Sequence, residues 1–295
     1  SFLISDPREA YILETAGRIP EGSDPILLVA GLRAGFTPEE EAPAAALVPL
    51  AGGPDREDLS ALAAFSIDDA ETKEVDDALT LEETASGWRL GIHIADLAAF
   101  VPALSELDIL GRRRTISAYM PGGTITMLPP RLSCDLASLT AGALRPAVSL
   151  FADFDREYTL TGSRFARTLI RLRRRLDYRE ADALLDAEEE FSPMLRTLHA
   201  LAEKLFRERL AGGAFSIDRP EYKVRLGAGG IKITKIDNRL RSQTIVQESM
   251  VLYNSLAGSF AMERGIPVIF RTQGRPADKN FPSGQVIPFQ PGRMQ

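Results

Sequence analysis

At 295 residues, with 44% hydrophobic and 26% charged side chains, the chain has the makeup of a globular protein, long enough for one large domain or two modest ones. Two histidines and one cysteine exclude a structural zinc site of the usual Cys/His kind and an internal disulfide, so an enzyme built on this sequence must rely on carboxylates. A formal net charge of −6 excludes a surface that is basic all over but leaves room for a local basic stripe.

Ser1 to Ile4 lacks the basic flank of a signal peptide, and no apolar run in the chain approaches the roughly 18 residues that span a bilayer. With Cys134 alone, a reducing compartment is the default, and a cytoplasmic location with no membrane partner is expected. Residues 1–57 read as a small, mainly helical leading unit, with short helices over Asp6–Gly17 and Ile26–Gly35. The acidic, Ala/Pro-rich stretch Thr37–Ala51 follows, and Gly52, Gly53 and Pro54 punctuate its end.

From Phe65 the texture changes. Ala78–Glu82 and Trp88–Ile94 alternate as two strands joined by a turn at Ser86 and Gly87. In the second strand Trp88, Leu90, Ile92 and Ile94 share one face, with Arg89, Gly91 and His93 on the other. His93 therefore belongs to a sheet and is read as structural. Arg164–Leu176 reads as a strand with Ile170, Leu172 and Leu176 on one face and Arg171, Arg173 and Arg175 on the other. Seven arginines against the single acid Asp177 over 164–179 give the local basic stripe, which is either a solvated face or a guide for phosphates. Asp177 and Glu180 have capping-box spacing for a following helix. Ser192–Pro193 opens a helix that ends at Gly212–Gly213, and Ser242 opens another with Gly265 past its end. His199, beside the apolar stripe of the first, is read as structural.

The sharpest local signal is the run from Ile67 to Ala78, which holds Asp68, Asp69, Glu71, Glu74, Asp76 and Asp77 between apolar strands. A calcium loop of EF-hand type is excluded, because its third, fifth and sixth positions would be Ala70, Thr72 and Lys73. Two readings stand: a solvated acidic loop, or a site for Mg²⁺, which takes oxygen ligands from carboxylates, waters and substrate phosphates. A loop returning Asp68 beside Asp76 and Asp77 would build the second.

This run, with Leu90-Gly91-Ile92-His93-Ile94-Ala95-Asp96, Tyr119-Met120-Pro121-Gly122-Gly123, Met127-Leu128-Pro129, Arg145-Pro146-Ala147-Val148-Ser149 and Gln247-Glu248-Ser249-Met250, resembles the catalytic domain of the ribonuclease II / ribonuclease R family. The resemblance covers roughly 58–273, leaving 274–295 as a Pro/Gly-rich tail. It implies an α+β fold of RNB type, with helices packed on a mixed twisted sheet. It also implies a processive, Mg²⁺-dependent 3′-to-5′ exoribonuclease that degrades single-stranded RNA to 5′-nucleotides, working as a monomer. The family's four acids fall on Asp68, Glu74, Asp76 and Asp77, with Asp68, Glu74 and Asp77 as metal ligands and Asp76 central to the chemistry. Glu74 stands where the family pattern has aspartate. Tyr119, Tyr178, Phe215 and Glu248 match RNA-contacting positions, Phe215 one position out of register, and Arg171, Arg173 and Arg175 would guide phosphates. The family's domain continues into a segment whose arginine contacts the scissile phosphate and commonly into an OB-fold barrel, with cold-shock barrels in front. None is legible here, so the resemblance implies a domain lacking its C-terminal segment. A non-catalytic RNA-binding or regulatory member is the alternative.

Overall fold

The computed structural model describes residues 27, 33–50, 52–120, 123–214, 216–218, 221–227, 230–236, 240–270 and 286–288. The expected leading helix over 6–17, most of the one over 26–35, and Phe215 lie outside the described residues; Arg33 to Gly35 are not helical.

The α+β expectation holds, and the sheet does more than twist. Its strands are β1 (Glu57–Asp58), β2 (Ala64–Asp68), β3 (Asp77–Thr84), β4 (Gly87–Ala95), β7 (Leu144–Asp155) and β8 (Leu160–Asp177). Two short strands, β5 (Ala118–Met120) and β6 (Gly123–Ile125), form a separate hairpin between β4 and β7. β2, β3, β4 and β7 are antiparallel neighbours in that order. The 18-residue β8 then pairs antiparallel with β7 along its first part and parallel with β2 along its last, so the sheet closes on itself. β1 adds in parallel alongside β8.

The period-2 reading of β3 and β4 is met, with ends extended to Asp77–Thr84 and Gly87–Ala95. Leu79, Leu81, Leu90 and Ile92 enter the main core with Leu150, Phe154 and Phe65. Three helices, α3 (Tyr178–Asp186), α4 (Ser192–Ala211) and α5 (Arg241–Glu263), cover that face with Leu184, Leu195, Leu198, Leu201 and Ile245. α3 starts as the spacing requires: the Asp177 carboxylate accepts from the Arg179 and Glu180 amides, and Glu180 accepts from the Asp177 amide.

Two features differ from the sequence reading. Thr37 caps a helix, α1 (Pro38–Ala45), with Glu40 returning the bond, in the acidic, Ala/Pro-rich stretch to which no helix was assigned. Pro43 disguises it, yet in so short a helix few amides need an intrahelical partner. Ala44 of α1 packs with Leu107 of α2 (Glu106–Arg114) in a smaller core around Phe100, Leu132 and Leu136. The second difference is in β8. Its register with β2 slips by one residue, Ala64 opposing Leu172 but Phe65 opposing Arg174. A bulge exchanges the faces of the residues beyond it. Ile170 and Leu172 therefore pack with Ala64, Val75 and Ala78, whereas Leu176 joins the main core. The three arginines do not form a single stripe.

Behind β4 lies a buried polar chain. His93 holds Thr80 Oγ1 at 3.0 Å through Nε2 and Ser149 Oγ at 2.7 Å through Nδ1, and Ser149 meets Thr168 at 2.6 Å. Gly91 leaves room for it, since a Cβ there would stand 2.7 Å from the imidazole Nε2. Burial lowers the His93 pKa from 6.5 to about 4. The folded protein thus resists protonation that the unfolded chain accepts, and stability is lost as pH falls from about 6.5 towards 4. We expect His93→Gln to remove up to roughly 3 kcal/mol of that acid-side loss. Urea unfolding of both proteins from pH 7.5 to 4 measures the difference, which should narrow as pH falls; a constant difference would contradict a buried neutral imidazole.

Candidate active site

β2 delivers Asp68 at its end and β3 starts with Asp77, and their antiparallel pairing at Phe65 and Leu79 turns the intervening loop back on itself. The loop is pinned throughout. Val75 is buried, its amide donates to Ser138 Oγ at 2.9 Å and its carbonyl accepts from the Leu139 amide at 2.8 Å. The Asp76 carbonyl accepts from the Ala95 amide at 2.8 Å. Ser66, two residues back on the same strand face, donates to Asp68 Oδ2 at 2.8 Å. This is not a solvated acidic tail.

The acids divide into two sets. Asp69 and Glu71 point to a hairpin of β10 (Tyr222–Gly227) and β11 (Gly230–Lys235), preceded by β9 (Ser216–Asp218), which pairs in parallel with β12 (Val286–Pro288) in the expected tail. Lys223 Nζ reaches Asp69 at 3.0 Å and Glu71 at 2.8 Å, and Arg225 also pairs with Glu71. These two acids have lowered pKa values: hydrogen bonding to Lys223 dominates for Glu71, and for Asp69 the Glu71 amide and Lys223 together outweigh burial.

Asp68, Asp76 and Asp77 behave oppositely. All three pKa values are raised, chiefly by burial, and each of Asp76 and Asp77 is raised further by neighbouring carboxylates. Asp77 reaches about 7, under the influence of Asp68 and Asp76. Asp76 is accessible to water yet surrounded by protein, as a residue on a cleft wall is. Asp68 has Ser66 and, at 3.9 Å, Arg175; among the described residues no Lys or Arg pairs with Asp76 or Asp77. Nor do any three Asp, Glu, His or Cys groups among the described residues stand closely enough to hold a metal ion as placed. Asp68 acts electrostatically on Asp76, and both act on Asp77, without the three forming a closed ligand set as placed. Their chemistry fits a divalent cation: hard oxygen donors, partly desolvated and short of positive charge.

Two tyrosines flank the acids. Tyr178, first residue of α3, is half-buried, and its phenol pKa is pushed up to about 12 by burial, then by Asp77 and Asp68. Its carbonyl accepts from Ser242 Oγ at 2.7 Å, tying it to α5. Tyr119, 75% exposed on β5, donates to Glu74 Oε2 at 3.5 Å. Glu74, Asp76 and Tyr119 line a cavity of about 220 Å³ with Leu97, Ser117 and Met127. The Glu74–Tyr119 contact uses the longer arm that glutamate has where the family pattern has aspartate.

Other expected RNA contacts are engaged elsewhere. Glu248 is 1% exposed and accepts from Nη2 and Nε of Arg209, at 2.7 and 3.1 Å, and from the side-chain Nε2 of Gln247 at 3.0 Å. It is a buried structural carboxylate here, because α4 and α5 pack through it. Arg171 donates to the Gly142 carbonyl and Arg173 to that of Ala61. Arg175, turned by the bulge, donates to the Asp69 and Thr72 carbonyls. Sequence reasoning missed Ser66, Lys223 and Arg225. A serine two residues before an acid on a strand was a usable signal for the first; cations more than 150 residues away gave none for the others.

A closed mixed sheet thus presents partly desolvated carboxylates with a tyrosine on either side, Asp76, Glu74 and Tyr119 lining one cavity. The family model of the RNB domain matches residues 56–285, and the chain belongs to that family. Ribonuclease R of Chlamydia trachomatis is 32% identical over 231 residues, 77% of this chain and 33% of the relative. The chain thus spans about a third of the length of the curated relatives it matches. In fold it is similar to Mycoplasma genitalium RNase R solved in complex with ribose-methylated single-stranded RNA, with a TM-score of 0.80 at 24% identity, covering 85% of this chain and 41% of that one. Yeast Ssd1, described as a pseudonuclease, shares the fold at a TM-score of 0.58 and 17% identity, over 74% of this chain and 28% of its own. Among the described residues no helix is long and apolar enough to cross a membrane.

Proposed function

We propose that the protein is a Mg²⁺-dependent 3′-to-5′ exoribonuclease that degrades single-stranded RNA processively to 5′-nucleoside monophosphates. The observation that carries this reading is the charge imbalance at the acids: burial raises the pKa values of Asp68, Asp76 and Asp77, neighbouring carboxylates raise those of Asp76 and Asp77 further, and no cation pairs with Asp76 or Asp77 among the described residues. A merely structural acidic cluster would be paired, as Asp69 and Glu71 are. Membership of the RNB family and the RNA seen with the Mycoplasma relative support RNA as substrate.

Asp68, Asp77 and Glu74 would hold the metal. A bound Mg²⁺ supplies positive charge against the phosphate oxygens and the departing 3′-oxygen. Asp76, on the cleft wall, accepts a hydrogen bond from the attacking water and orients it. Tyr178 offers its ring as a platform for bases, and such stacking is sequence-tolerant because every base has a π-face. Tyr119 fixes Glu74 and lines the cavity that receives the end of the chain.

The fold shared with a pseudonuclease favours a second reading, a non-catalytic RNA-binding member. The two separate on one experiment with the full-length protein, Mg²⁺ and single-stranded RNAs blocked at either end. A 3′-terminal phosphate or dideoxy block should slow degradation strongly while a 5′ block leaves it unchanged. Binding without shortening of any substrate would select the second reading.

A further inference from the structure

We infer that Arg175 is a positioning residue that clamps the acidic loop from behind and so sets the spacing of the metal-holding carboxylates, rather than a contact for RNA phosphates. Arg175 lies on β8 opposite Ser66 of the parallel strand β2, two residues before Asp68. The register slip at Ala64/Phe65 turns it away from the face that Arg171 presents. One guanidinium nitrogen, Nη2, donates to both the Asp69 and the Thr72 carbonyls, while Nε stands 3.9 Å from Asp68 Oδ2. Those carbonyls belong to the segment by which the chain leaves Asp68 and returns to Asp76 and Asp77. Thr72 also donates its amide to the Asp69 carbonyl at 2.9 Å, so Arg175 completes a turn that is already half formed.

The planar guanidinium lets Nη2 hold two backbone carbonyls while Nε, fixed in the same plane, stays aimed at the Asp68 carboxylate. Lysine keeps the charge, but its one ammonium cannot occupy the Nη2 and Nε positions at once. On the opposite side Lys223 and Arg225 hold the loop through Asp69 and Glu71, so the segment is gripped from a strand and from a hairpin. Arg171 and Arg173 donate to carbonyls of other loops, Gly142 and Ala61, and have no such relation to the acids. The inference rests on the proposed metal site, and groups that orient metal ligands typically alter metal affinity by 10–100-fold when removed.

The test compares the parent protein with Arg175→Gln and Arg175→Lys, each checked for an unchanged melting profile. Mg²⁺ alone is titrated by calorimetry, single-stranded RNA binding is measured in EDTA, and cleavage is followed against Mg²⁺ concentration. Arg175→Gln should weaken Mg²⁺ binding and raise the Mg²⁺ needed for half-maximal cleavage by about 10–100-fold. Its RNA binding in EDTA should stay within about threefold of the parent. Arg175→Lys should fall between the two in Mg²⁺ affinity, and it decides the matter if the glutamine variant does not fold. Parent-like Mg²⁺ binding with RNA binding lost would overturn the inference and make Arg175 a phosphate contact. A parent protein that binds no Mg²⁺ would instead remove the metal site itself, and the clamp with it.

Discussion

Asp76→Asn should slow cleavage by orders of magnitude while leaving RNA binding intact or stronger. The amide is nearly isosteric, and the backbone carbonyl of residue 76 keeps its bond from the Ala95 amide, so the loop should retain its path. What changes is charge. Asp76 sits where burial, Glu74 and Asp68 already oppose its ionised form, so neutralising it relieves repulsion and should not lower the melting temperature. It also lowers the negative potential met by an incoming phosphodiester. The asparagine cannot accept and orient the water as a carboxylate does, and single-turnover cleavage should fall by roughly 10²–10³-fold or more, the scale of a lost transition-state stabiliser. Filter binding and single-turnover cleavage on the same RNA measure both quantities. A variant that cleaves at near-parent rate would show that Asp76 has no central role.

Tyr178→Ala has the second-largest expected effect, and on binding rather than chemistry. The ring is half-buried against the core beside Asp77 and Asp68, and its backbone is anchored between the Asp177 cap and Ser242. A platform fixed in this way costs little to order when a base stacks on it. Loss of the ring should weaken RNA binding by about 1–3 kcal/mol for each base that loses its platform. The length at which degradation stalls should shift as well. Tyr178→Phe tests the other possibility, since it keeps the π-face and loses only the phenol that the aspartates face. Parent-like affinity in Tyr178→Phe with loss in Tyr178→Ala assigns the effect to stacking; an unchanged product ladder in Tyr178→Ala would make the residue structural.

Much of this was legible in the residues, and the parts that were not share a cause. β3 and β4 declared themselves through alternation, α4 and α5 through apolar stripes with Pro193 at one start and Gly265 past one end, and α3 through Asp177 and Glu180. These are signals carried within a few residues. The closure of the sheet depends on β8 meeting both β7 and β2, a pairing that no local pattern encodes. The bulge at Ala64/Phe65 is a matter of register between distant strands, and it alone moved Arg175 from the stripe of Arg171 to the acidic loop. Glu248 looked available to RNA on its helix because Arg209, 39 residues away, was not visible as its partner. The acidic run itself was legible as a candidate site. Its division into acids paired with cations, Asp69 and Glu71, and acids with no such partner among the described residues, Asp76 and Asp77, needed the hairpin that brings Lys223 across.

In the proposed function the aspartates of the acidic loop hold Mg²⁺ for hydrolysis at the end of an RNA strand. The most direct measurement incubates the full-length protein with 5′-labelled single-stranded RNA in Mg²⁺ or in EDTA and follows the labelled products in time. The expected result is progressive shortening from the 3′ end to a short labelled remnant, with mononucleotides released throughout and no shortening in EDTA. Labelled fragments from internal cuts, label released first as a mononucleotide, or equal degradation in EDTA would contradict it.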